Sequence, residues 1–530
     1  MSPTPRPLET LRGDTQEKHM NLLYPYGTDN LWNLSDDTYR NLAIDELVQM
    51  IAVTNEEQEL VSKVFRTLPT DEKTCLYRQE IVRDLIASED FCQELNVVLK
   101  KLDVLKEYNI HNHFLTSKRA SMWDLIDYMN EMDIYVQVVE ELNILFGKYS
   151  MSSEGLIEIE KLLKDVIDMD QISELKEIVE SLKAEISTLK SVTVGINLTQ
   201  DLYPAEIRVL DYSTLPVVSK YDKVAWGISI ASMRQVKYRE PTPFMKYICE
   251  DMEKHLKRSV QSYKTELKKY INFKGYFLLD ICNDLKFYLM VARLGRTLSE
   301  SGHTICFPKV ADDKTEVKIK GIYNIRLTTK KLETIVRNDF DFEKREKIFI
   351  LTGPNRGGKT MLTQAVGIAA FMAGQGLFVT ADDYEGFLFD KILTHFPADE
   401  NETLDLGRLG EEAVRIKTIA GEADNKSLVL LNETYSSTSA IDGLYLAKDL
   451  VHLLKHKSIP TIYNTHLHEL GRTTGEMNRW DGEGEVVSLV MEIADNVNTY
   501  RVLRKEPDTS SYARNIAFKY GVTYEQMLEQ

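Results

Sequence analysis

Cysteine is scarce in this chain, and basic residues do not outnumber acidic ones. The 530 residues include 5 cysteines and no Cys-x-x-Cys pair, which argues against a disulfide framework and against a zinc site. The 65 lysines and arginines are opposed by 82 aspartates and glutamates, so the net charge is −17. A protein that coats nucleic acid non-specifically normally carries a basic surplus, and this composition disfavours that class.

Long apolar runs are also missing. No stretch of about 18 uncharged apolar residues occurs, and the first residues contain no apolar segment of the kind that a secretory signal needs. Together with the few cysteines, this predicts a cytoplasmic protein with no membrane partner. The length is too great for one compact core and predicts roughly three domains.

Helical periodicity dominates the first 330 residues, where apolar residues recur at spacings of three and four. Prolines and β-branched runs predict a small β-rich insert, after which a return helix of roughly fifty residues is long enough to act as a lever. The predicted organisation is an N-terminal extension (1–38), a helical core with a first lever helix (39–191), the β-rich insert (192–243), the return helix with a connector (244–317) and an α/β domain (318–530).

The charges of the β-rich insert are nearly balanced, because six basic residues face five acidic ones. The basic residues are candidate DNA contacts: Arg208, Lys220, Lys223, Arg234, Lys237 and Arg239. Near neutrality is not a basic patch, so DNA would have to be held through backbone contacts without base reading. Charged faces of this kind are most often simply solvated.

The α/β domain is predicted from short buried strands that alternate with helices. The strands are KIFILTG from Lys347, GLFVTA from Gly376, SLVLLNE from Ser427 and IPTIYNTH from Ile459, and helices follow the first and third of them. This alternation predicts a parallel sheet that is covered by helices on both faces.

A glycine-rich loop between the strand KIFIL and the following helix carries the strongest chemical signal. Its residues are Gly353, Pro354, Asn355, Arg356, Gly357, Gly358, Lys359 and Thr360, which fit G-x-x-x-x-G-K-[ST]. Glycines let successive N–H groups point at phosphate oxygens, and the helix N-terminus adds partial positive charge. We therefore expect ATP to bind here, with Lys359 on the β- and γ-phosphates and Thr360 on Mg²⁺.

The strand SLVLLNE ends where a P-loop ATPase has an acidic pair that organises Mg²⁺ and activates water. The first position is Asn432, whose amide oxygen can still accept from a Mg²⁺-bound water, and the second is Glu433, the expected catalytic base. His466, at the end of the next strand, is a candidate γ-phosphate sensor. A histidine in such a place would otherwise be an ordinary core residue.

These motifs resemble the MutS family of ATPases, within the ABC superclass. TGPNRGGKTMLTQ is similar to the family's phosphate loop, SLVLLNETYSSTSAIDG to its Walker B strand and D-loop, and NTHLHEL to its switch-histidine segment. TYRVLRKEPDTSSYARNIAFKYGV is similar to the closing strand and helix, and Asn338 lies in a segment like the one that leads into the family's first ATPase strands. The resemblance is specific over 330–530 and weaker over 40–330.

The resemblance implies a homodimer in which each ATP site is completed by the partner's signature segment. Here Gly407 and Glu412 would act in trans, and Thr438, Ser439 and Asp442 would form the D-loop. Nucleotide would move the levers and a clamp formed by the insert around duplex or branched DNA, in DNA mismatch repair or recombination with repair-pathway protein partners.

Three departures from the family pattern qualify these expectations. Asn432 replaces an aspartate, and Gly407 stands where the family has a serine. Both predict slow hydrolysis, roughly ten- to a thousandfold below a fully equipped site. The third departure is the short stretch before the helical core, which predicts a short form without the mismatch-recognition domain, and no nuclease extension is expected after the ATPase domain.

Other classes of protein remain open on the sequence. The acidic charge and the neutral insert would also suit a nucleotide-gated scaffold whose partner is a protein and whose ATPase activity is weak. A transport-type or chromosome-type ABC ATPase would be expected to have an LSGGQ signature, and a small-molecule kinase has no role for His466 or for a lever helix.

Overall fold

The computed structural model describes residues 20–107, 122–168, 170–216, 277–311, 315–330, 334–397, 407–494 and 497–507, with short pieces at 262–263, 265–267, 332, 521 and 523–528. Five of the candidate DNA contacts, namely Lys220, Lys223, Arg234, Lys237 and Arg239, lie outside the described residues, as does most of the predicted return helix. The chain divides into two compact units, Ser88–Lys286 and Leu22–Ala87 with Phe287–Gln530. Each unit is described by itself.

The described helices, in chain order, are α1 (Asp36–Asn41), α2 (Ile44–Ile51), α3 (Asn55–Phe65), α4 (Glu72–Ala87), α5 (Glu89–Glu107), α6 (Met122–Lys148), α7 (Glu154–Ile167), α8 (Asp170–Thr188), α9 (Phe277–Glu300), α10 (Lys359–Gly374), α11 (Gly407–Glu422), α12 (Ala440–His456), α13 (His468–Arg472), α14 (Thr474–Met477) and α15 (Tyr524–Leu528). A 3₁₀ turn covers Ile325–Thr329. None of them, within the described ranges, combines the length and the apolarity needed to cross a bilayer.

The described strands are β1 (Leu31–Asn33), β2 (Thr67–Pro69), β3 (Ser191–Leu198), β4 (Pro204–Ser213), β5 (Lys309–Val310), β6 (Val317–Ile322), β7 (Asn338–Phe342), β8 (Glu346–Thr352), β9 (Asp383–Gly386), β10 (Lys391–His395), β11 (Ser427–Asn432), β12 (Thr461–Asn464), β13 (Glu485–Ala494) and β14 (Val497–Arg504). They form two two-stranded sheets, β1–β2 and β3–β4, a four-stranded sheet and a six-stranded sheet.

The unit that starts at Ser88 is built from helices α5 to α8, followed by the antiparallel hairpin β3–β4. Phe91 of α5 and Phe146 of α6 meet edge to face with ring centroids 5.2 Å apart, and both are almost fully buried. The hairpin confirms the strands predicted at the start of the insert. Exposed apolar side chains lie at and beside its turn, namely Leu198 at the end of β3, Leu202 and Tyr203.

The six-stranded sheet has the order β10-β11-β12-β8-β13-β14. All neighbouring pairs are parallel except β13–β14, which confirms the prediction of an α/β fold with a mostly parallel sheet. Helix α10 lies against it so closely that a Cβ on Gly367 would come within 2.6 Å of Leu430 of β11. The four-stranded sheet, β5-β9-β6-β7, was not predicted from the sequence.

The strand predicted at GLFVTA is wrong. Between Gly376 and Ala381 the chain makes only an isolated bridge, Val379 to Cys306. The apolar run reflects burial instead, because Leu377 and Phe378 are fully buried after the turn at Gly376, whose φ is +71°. A short apolar run does not distinguish a strand from a buried connection.

Residues 39–87, predicted to belong with the following helices, are grouped with the C-terminal half instead. Their apolar faces pack on α10: Phe65 and Phe371 meet edge to face at 5.1 Å, and the Cys75 thiol donates to the carbonyl of Gly374. Helical periodicity reveals a buried face but does not identify the partner that covers it.

Candidate functional site

Three neighbouring parallel strands end together at one edge of the six-stranded sheet. Asn432, the last residue of β11, pairs in register with Asn464, the last residue of β12, and Asn464 pairs with Leu351 of β8. The segments that follow β8, β11 and β12 therefore emerge side by side. These segments contain the glycine-rich loop (353–358), Glu433 and His466, so the structure brings together the residues that the motifs singled out.

The glycine-rich loop depends on backbone conformations that L side chains rarely adopt. Gly353 has φ +144° and Gly358 has φ +97°, and a Cβ at Gly353 would lie 2.8 Å from the side chain of Met491. Arg356 is also left-handed, with φ +61°. Helix α10 begins directly after the loop, so its first N–H groups face the concave side where an anion would bind.

Lys359 is buried at the first position of α10. Its Nζ donates to the carbonyls of Gly353 at 3.1 Å and of Pro354 at 3.3 Å, both within its own loop. Burial lowers the pKa of Lys359, and the nearby Glu433 carboxylate opposes that shift. The lysine is thus a desolvated cation whose hydrogen-bond partners among the described residues are backbone oxygens.

A group of short polar side chains lies between α10 and the strand ends. Thr360 Oγ1 donates to Asn432 Oδ1 at 3.3 Å, Asn464 Nδ2 donates to the same oxygen at 3.1 Å, and Thr363 Oγ1 donates to Asn464 Oδ1 at 2.9 Å. Hydroxyl and amide oxygens are suitable ligands for a hard cation such as Mg²⁺. No group of three or more His, Cys, Asp or Glu side chains with metal-binding geometry occurs in the described part of the chain.

Glu433 and His466 form a pair at the mouth of the site, with Oε1 and Nε2 3.1 Å apart. Desolvation lowers the pKa of His466 to about 4, helped by the positive charge of Lys359 and by His468. Burial raises the pKa of Glu433, while Lys359 and the His466 backbone oppose the rise. At neutral pH the imidazole of His466 is therefore uncharged, and the contact is not an ion pair. Glu433 also has φ +51°, a strained conformation for this residue type.

A cavity of about 620 Å³ opens over these residues, within the range of small-molecule sites. Its polar side is formed by the loop, Lys359, Thr360, Glu433 and His466. Its apolar side is a separate set of residues: Ile322, Leu327, Leu332, Ile335, Val336 and Tyr500. The cavity thus combines a cationic, N–H-rich end with an apolar end.

The hairpin β13–β14 supports the loop from the side, a role that the sequence did not reveal. Asn498 Nδ2 donates to the Arg356 carbonyl at 3.2 Å, and a Cβ at Gly358 would lie 3.1 Å from the Tyr500 ring. Asn338 in turn fastens β14, because it donates to the Tyr500 carbonyl at 3.0 Å and accepts from Val502 N at 2.8 Å. In the sequence, Asn338 and Asn498 stand out only as polar residues within or next to strand patterns, which does not show that they hold the loop.

Glu412, one of the two predicted trans residues, does not line the cavity of its own chain as the described residues form it. Gly407 starts α11, and Glu412 accepts a hydrogen bond of 2.5 Å from Ser437 Oγ. The Ser439 hydroxyl caps α12, because it accepts from Asp442 N at 3.2 Å. The same hydroxyl donates to the Asp442 carboxylate at 2.7 Å. Thr438 directly precedes this cap residue. The described D-loop residues Thr438, Ser439 and Asp442 do not line the cavity either.

Arg208 is the one candidate DNA contact within the described residues, and it lies on β4 of the other unit. Its Nε donates to Glu206 at 2.7 Å, so a carboxylate two residues away neutralises its charge locally. Strand alternation puts both side chains on the polar face of the hairpin. A single paired arginine does not make a phosphate-binding surface.

The fold and the site together define an α/β protein with a candidate phosphate-binding loop at the carboxyl edge of a mostly parallel sheet. Comparisons with known proteins make this more specific. The family model described as MutS domain V matches residues 349–527, and the model described as MutS2 N-terminal domain matches residues 70–301. The chain belongs to the MutS family, as its motifs indicated.

Individual relatives match over most of the chain at low identity. Endonuclease MutS2 of Staphylococcus aureus is 22% identical over 522 residues, which are 92% of this chain and 62% of that protein. DNA mismatch repair protein MutS of Fusobacterium nucleatum is 23% identical over 462 residues, 85% of this chain and 48% of that protein. Endonuclease MutS2 of Caldicellulosiruptor saccharolyticus is 25% identical over 271 residues, which are 50% of this chain and 33% of that protein. The chain therefore spans between one third and about three fifths of these relatives' length.

Proposed function

We propose that the cavity binds ATP with Mg²⁺ and hydrolyses it slowly, in a P-loop domain of the ABC type. One observation carries the proposal: Lys359, Thr360, Asn432, Glu433 and His466 meet at one sheet edge beside the glycine-rich loop. Phosphoryl transfer in P-loop enzymes uses backbone N–H groups and a lysine to hold the phosphates and a further residue to orient the attacking water, and the loop, Lys359 and Glu433 offer these groups. The apolar end of the cavity would hold the base.

Magnesium fits the residues present, because Thr360, which lines the cavity, has its Oγ1 3.3 Å from Asn432 Oδ1. Mg²⁺ keeps most of its waters and takes few protein ligands, so two such oxygens with phosphates and water are sufficient. When bound, the ion would neutralise charge on the phosphates. Asn432 offers no negative charge, which supports weaker Mg²⁺ organisation than an aspartate would give.

The protein's own residues would act as follows. Lys359 would exchange the carbonyls of Gly353 and Pro354 for phosphate oxygens, and the first N–H groups of α10 would donate to the same phosphates. Glu433 would accept a hydrogen bond from the attacking water and polarise it toward the γ-phosphorus, while the neutral His466 would donate its Nε2–H to a γ-phosphate oxygen. The products are ADP and phosphate.

We further propose a homodimer with shared sites, in which α11 acts on the partner's nucleotide. The position of Glu412, outside the lining of its own chain's cavity and hydrogen-bonded to Ser437, supports this arrangement. Gly407 has no hydroxyl to offer a γ-phosphate, and one missing donor typically costs about 10²- to 10³-fold in rate. Slow hydrolysis follows from Gly407 together with Asn432.

The activity is proposed to act on duplex or branched DNA in repair or recombination. The names of the relatives, Endonuclease MutS2 and DNA mismatch repair protein MutS, support a DNA substrate. The pairing of Arg208 with Glu206 and the exposed apolar side chains Leu202 and Tyr203 favour a second candidate, a nucleotide-gated scaffold that holds a protein.

Steady-state ATP hydrolysis tests these proposals. The unaltered chain, Lys359→Ala and the surface control Lys63→Ala are measured without DNA and then with linear duplex, mismatched duplex and four-way-junction DNA. We expect Lys359→Ala to lower the rate of hydrolysis by at least about tenfold and Lys63→Ala to leave it unchanged. Stimulation by one DNA form supports the DNA role, whereas hydrolysis indifferent to every DNA would favour the scaffold. Equal rates for Lys359→Ala and the unaltered chain would refute the ATPase proposal.

A further inference from the structure

We propose that Asn464 and Thr363 are positioning residues that hold the Asn432 amide with its oxygen toward Thr360, so that orientation replaces the fixed charge of an aspartate. The inference rests on the proposed function, since it concerns the same Mg²⁺–ATP site. The chain of hydrogen bonds from Thr363 through Asn464 and Asn432 to Thr360 is called the amide relay. All its members lie in the unit that contains the six-stranded sheet.

Backbone register places the four residues of the amide relay in two stacked pairs. Asn432 and Asn464 are direct partners in parallel strands, so their side chains project from the same face of the sheet. Thr360 and Thr363 are one turn apart on α10 and share one face of that helix. The helix face meets the sheet face, which sets Thr360 opposite Asn432 and Thr363 opposite Asn464.

The direction of each hydrogen bond gives the relay its function. The Thr363 hydroxyl donates to Asn464 Oδ1, which turns the NH₂ group of Asn464 toward Asn432. Asn432 can accept that donor only through Oδ1, and the same oxygen accepts from Thr360. Thr363 and Asn464 are fully buried and Asn432 is 8% exposed, so water does not readily substitute for a lost partner.

An asparagine needs this help, whereas an aspartate would not. A carboxylate accepts through either oxygen, but an amide has one accepting end and one donating end. A reversed Asn432 would present N–H groups to Thr360 and to any cation beside it. Asn464 prevents the reversal because two NH₂ groups cannot satisfy each other.

The test measures the Mg²⁺ concentration that half-saturates binding of a fluorescent ATP analogue, a readout independent of turnover. We expect Asn464→Ala and Thr363→Val to raise this concentration about tenfold, the effect of losing one buried hydrogen bond. Thr363→Ser keeps the donating hydroxyl and is expected to behave like the unaltered chain. Because Thr363→Val is nearly isosteric and does not touch Asn432, its effect is not a direct loss of a ligand.

A comparison in a second background isolates the relay. With Asn432→Asp in place, Asn464→Ala is expected to change the half-saturating Mg²⁺ concentration by less than about twofold, since a carboxylate needs no orientation. Thermal unfolding without nucleotide identifies any variant that does not fold, and the Val and Ser variants at Thr363 then decide the question.

Two results would overturn the inference. One is an equal effect of Asn464→Ala in the unaltered chain and in the Asn432→Asp background, and the other is equal behaviour of Thr363→Val and Thr363→Ser. Either would show that the relay does not orient the amide, while leaving the ATP site standing. If the unaltered chain shows no Mg²⁺-dependent nucleotide binding, the proposed function fails, and the relay fails with it.

Discussion

Individual side chains in this site take their properties from their neighbours. His466 would be partly protonated at neutral pH in water, but desolvation and Lys359 lower its pKa to about 4, so that an uncharged ring lies 3.1 Å from Glu433 Oε1. Glu433, in turn, is made more basic by burial. The same residues on an open surface would not be matched to water activation, because general base catalysis depends on a shifted pKa.

His395 provides a pH test away from the cavity. It is buried at the end of β10, its Nδ1 lies 3.0 Å from Thr434 Oγ1, and burial with the charge of Arg415 lowers its pKa from 6.5 to about 4. The unfolded chain therefore binds a proton between these two values and the folded chain does not. This group's contribution to the free energy of unfolding is complete above pH 6.5 and falls by about 1.4 kcal/mol per pH unit below it.

The prediction is checked by urea unfolding of the unaltered chain and His395→Gln at pH 7.5, 6.0 and 5.0. We expect the free energy of unfolding of the unaltered chain to fall more steeply with acid, so that the two proteins converge toward pH 5. Subtracting the free energy of unfolding of one protein from that of the other at each pH removes the contribution of the carboxylates that both proteins share. Parallel pH profiles would show that His395 is not buried in its neutral form.

At the scale of secondary-structure elements, the hairpin β13–β14 determines the shape of the glycine-rich loop. It contacts the loop at three points, through Met491 at Gly353, Asn498 at Arg356 and Tyr500 at Gly358. Arg356 and Tyr500 are both left-handed, at φ +61°. Such backbone strain persists where surrounding contacts over-determine it, and the hairpin supplies those contacts.

Asn498→Ala is expected to weaken binding of a fluorescent ATP analogue about three- to tenfold, because one hydrogen bond that holds the strained loop is worth about 1 kcal/mol. The melting temperature without nucleotide should change little, since the side chain is partly exposed. Asn197→Ala, which removes an exposed asparagine from β3, is the matched control. Unchanged affinity in Asn498→Ala would mean that the loop holds its conformation without the hairpin.

The sequence predicted elements and site residues best where the signal is local. The glycine-rich loop, Glu433 and His466 each lie in a short motif next to a buried strand, and parallel strand order then brings them together. Asn464 could have been noticed as a polar residue that closes the buried run of β12, but its donor and acceptor directions depend on Thr363, a helix residue about a hundred positions earlier in the chain.

The sequence did not predict which strands and helices pack together when they lie far apart in the chain. The four-stranded sheet contains β5, β6, β7 and β9, and no single run of residues predicts how these strands pair. Strands β1 and β2 also pair, although three helices separate them in the chain. The packing of α1 to α4 on the C-terminal half has the same origin. Periodicity defines which face of an element is apolar, and only the folded chain shows what covers it.

At the scale of the whole molecule, the proposed sharing of ATP sites between two subunits predicts that nucleotide controls association. Glu433→Gln should retain ATP because it keeps the side chain's size while removing the water-polarising carboxylate. We expect this variant to sediment as a dimer with Mg²⁺ and ATP, and Lys359→Ala to remain monomeric under the same conditions.

Analytical ultracentrifugation of both variants with ATP, with ADP and without nucleotide makes this measurement. We expect the association constant of the dimer to be at least about tenfold higher with ATP than with ADP. This ratio corresponds to about 1.4 kcal/mol of difference in the free energy of association. The same sedimentation pattern with ATP, with ADP and without nucleotide would show that nucleotide does not control dimer formation.

The hydrogen bond from Ser437 to Glu412 has a genetic consequence. It ties α11 to the segment that follows Glu433 in the same subunit. If α11 serves the partner's nucleotide, a defect at Ser437 in one subunit is felt at the other subunit's phosphate. A cell that makes both altered and unaltered chains would then assemble impaired mixed pairs, so such an allele would behave as dominant rather than recessive.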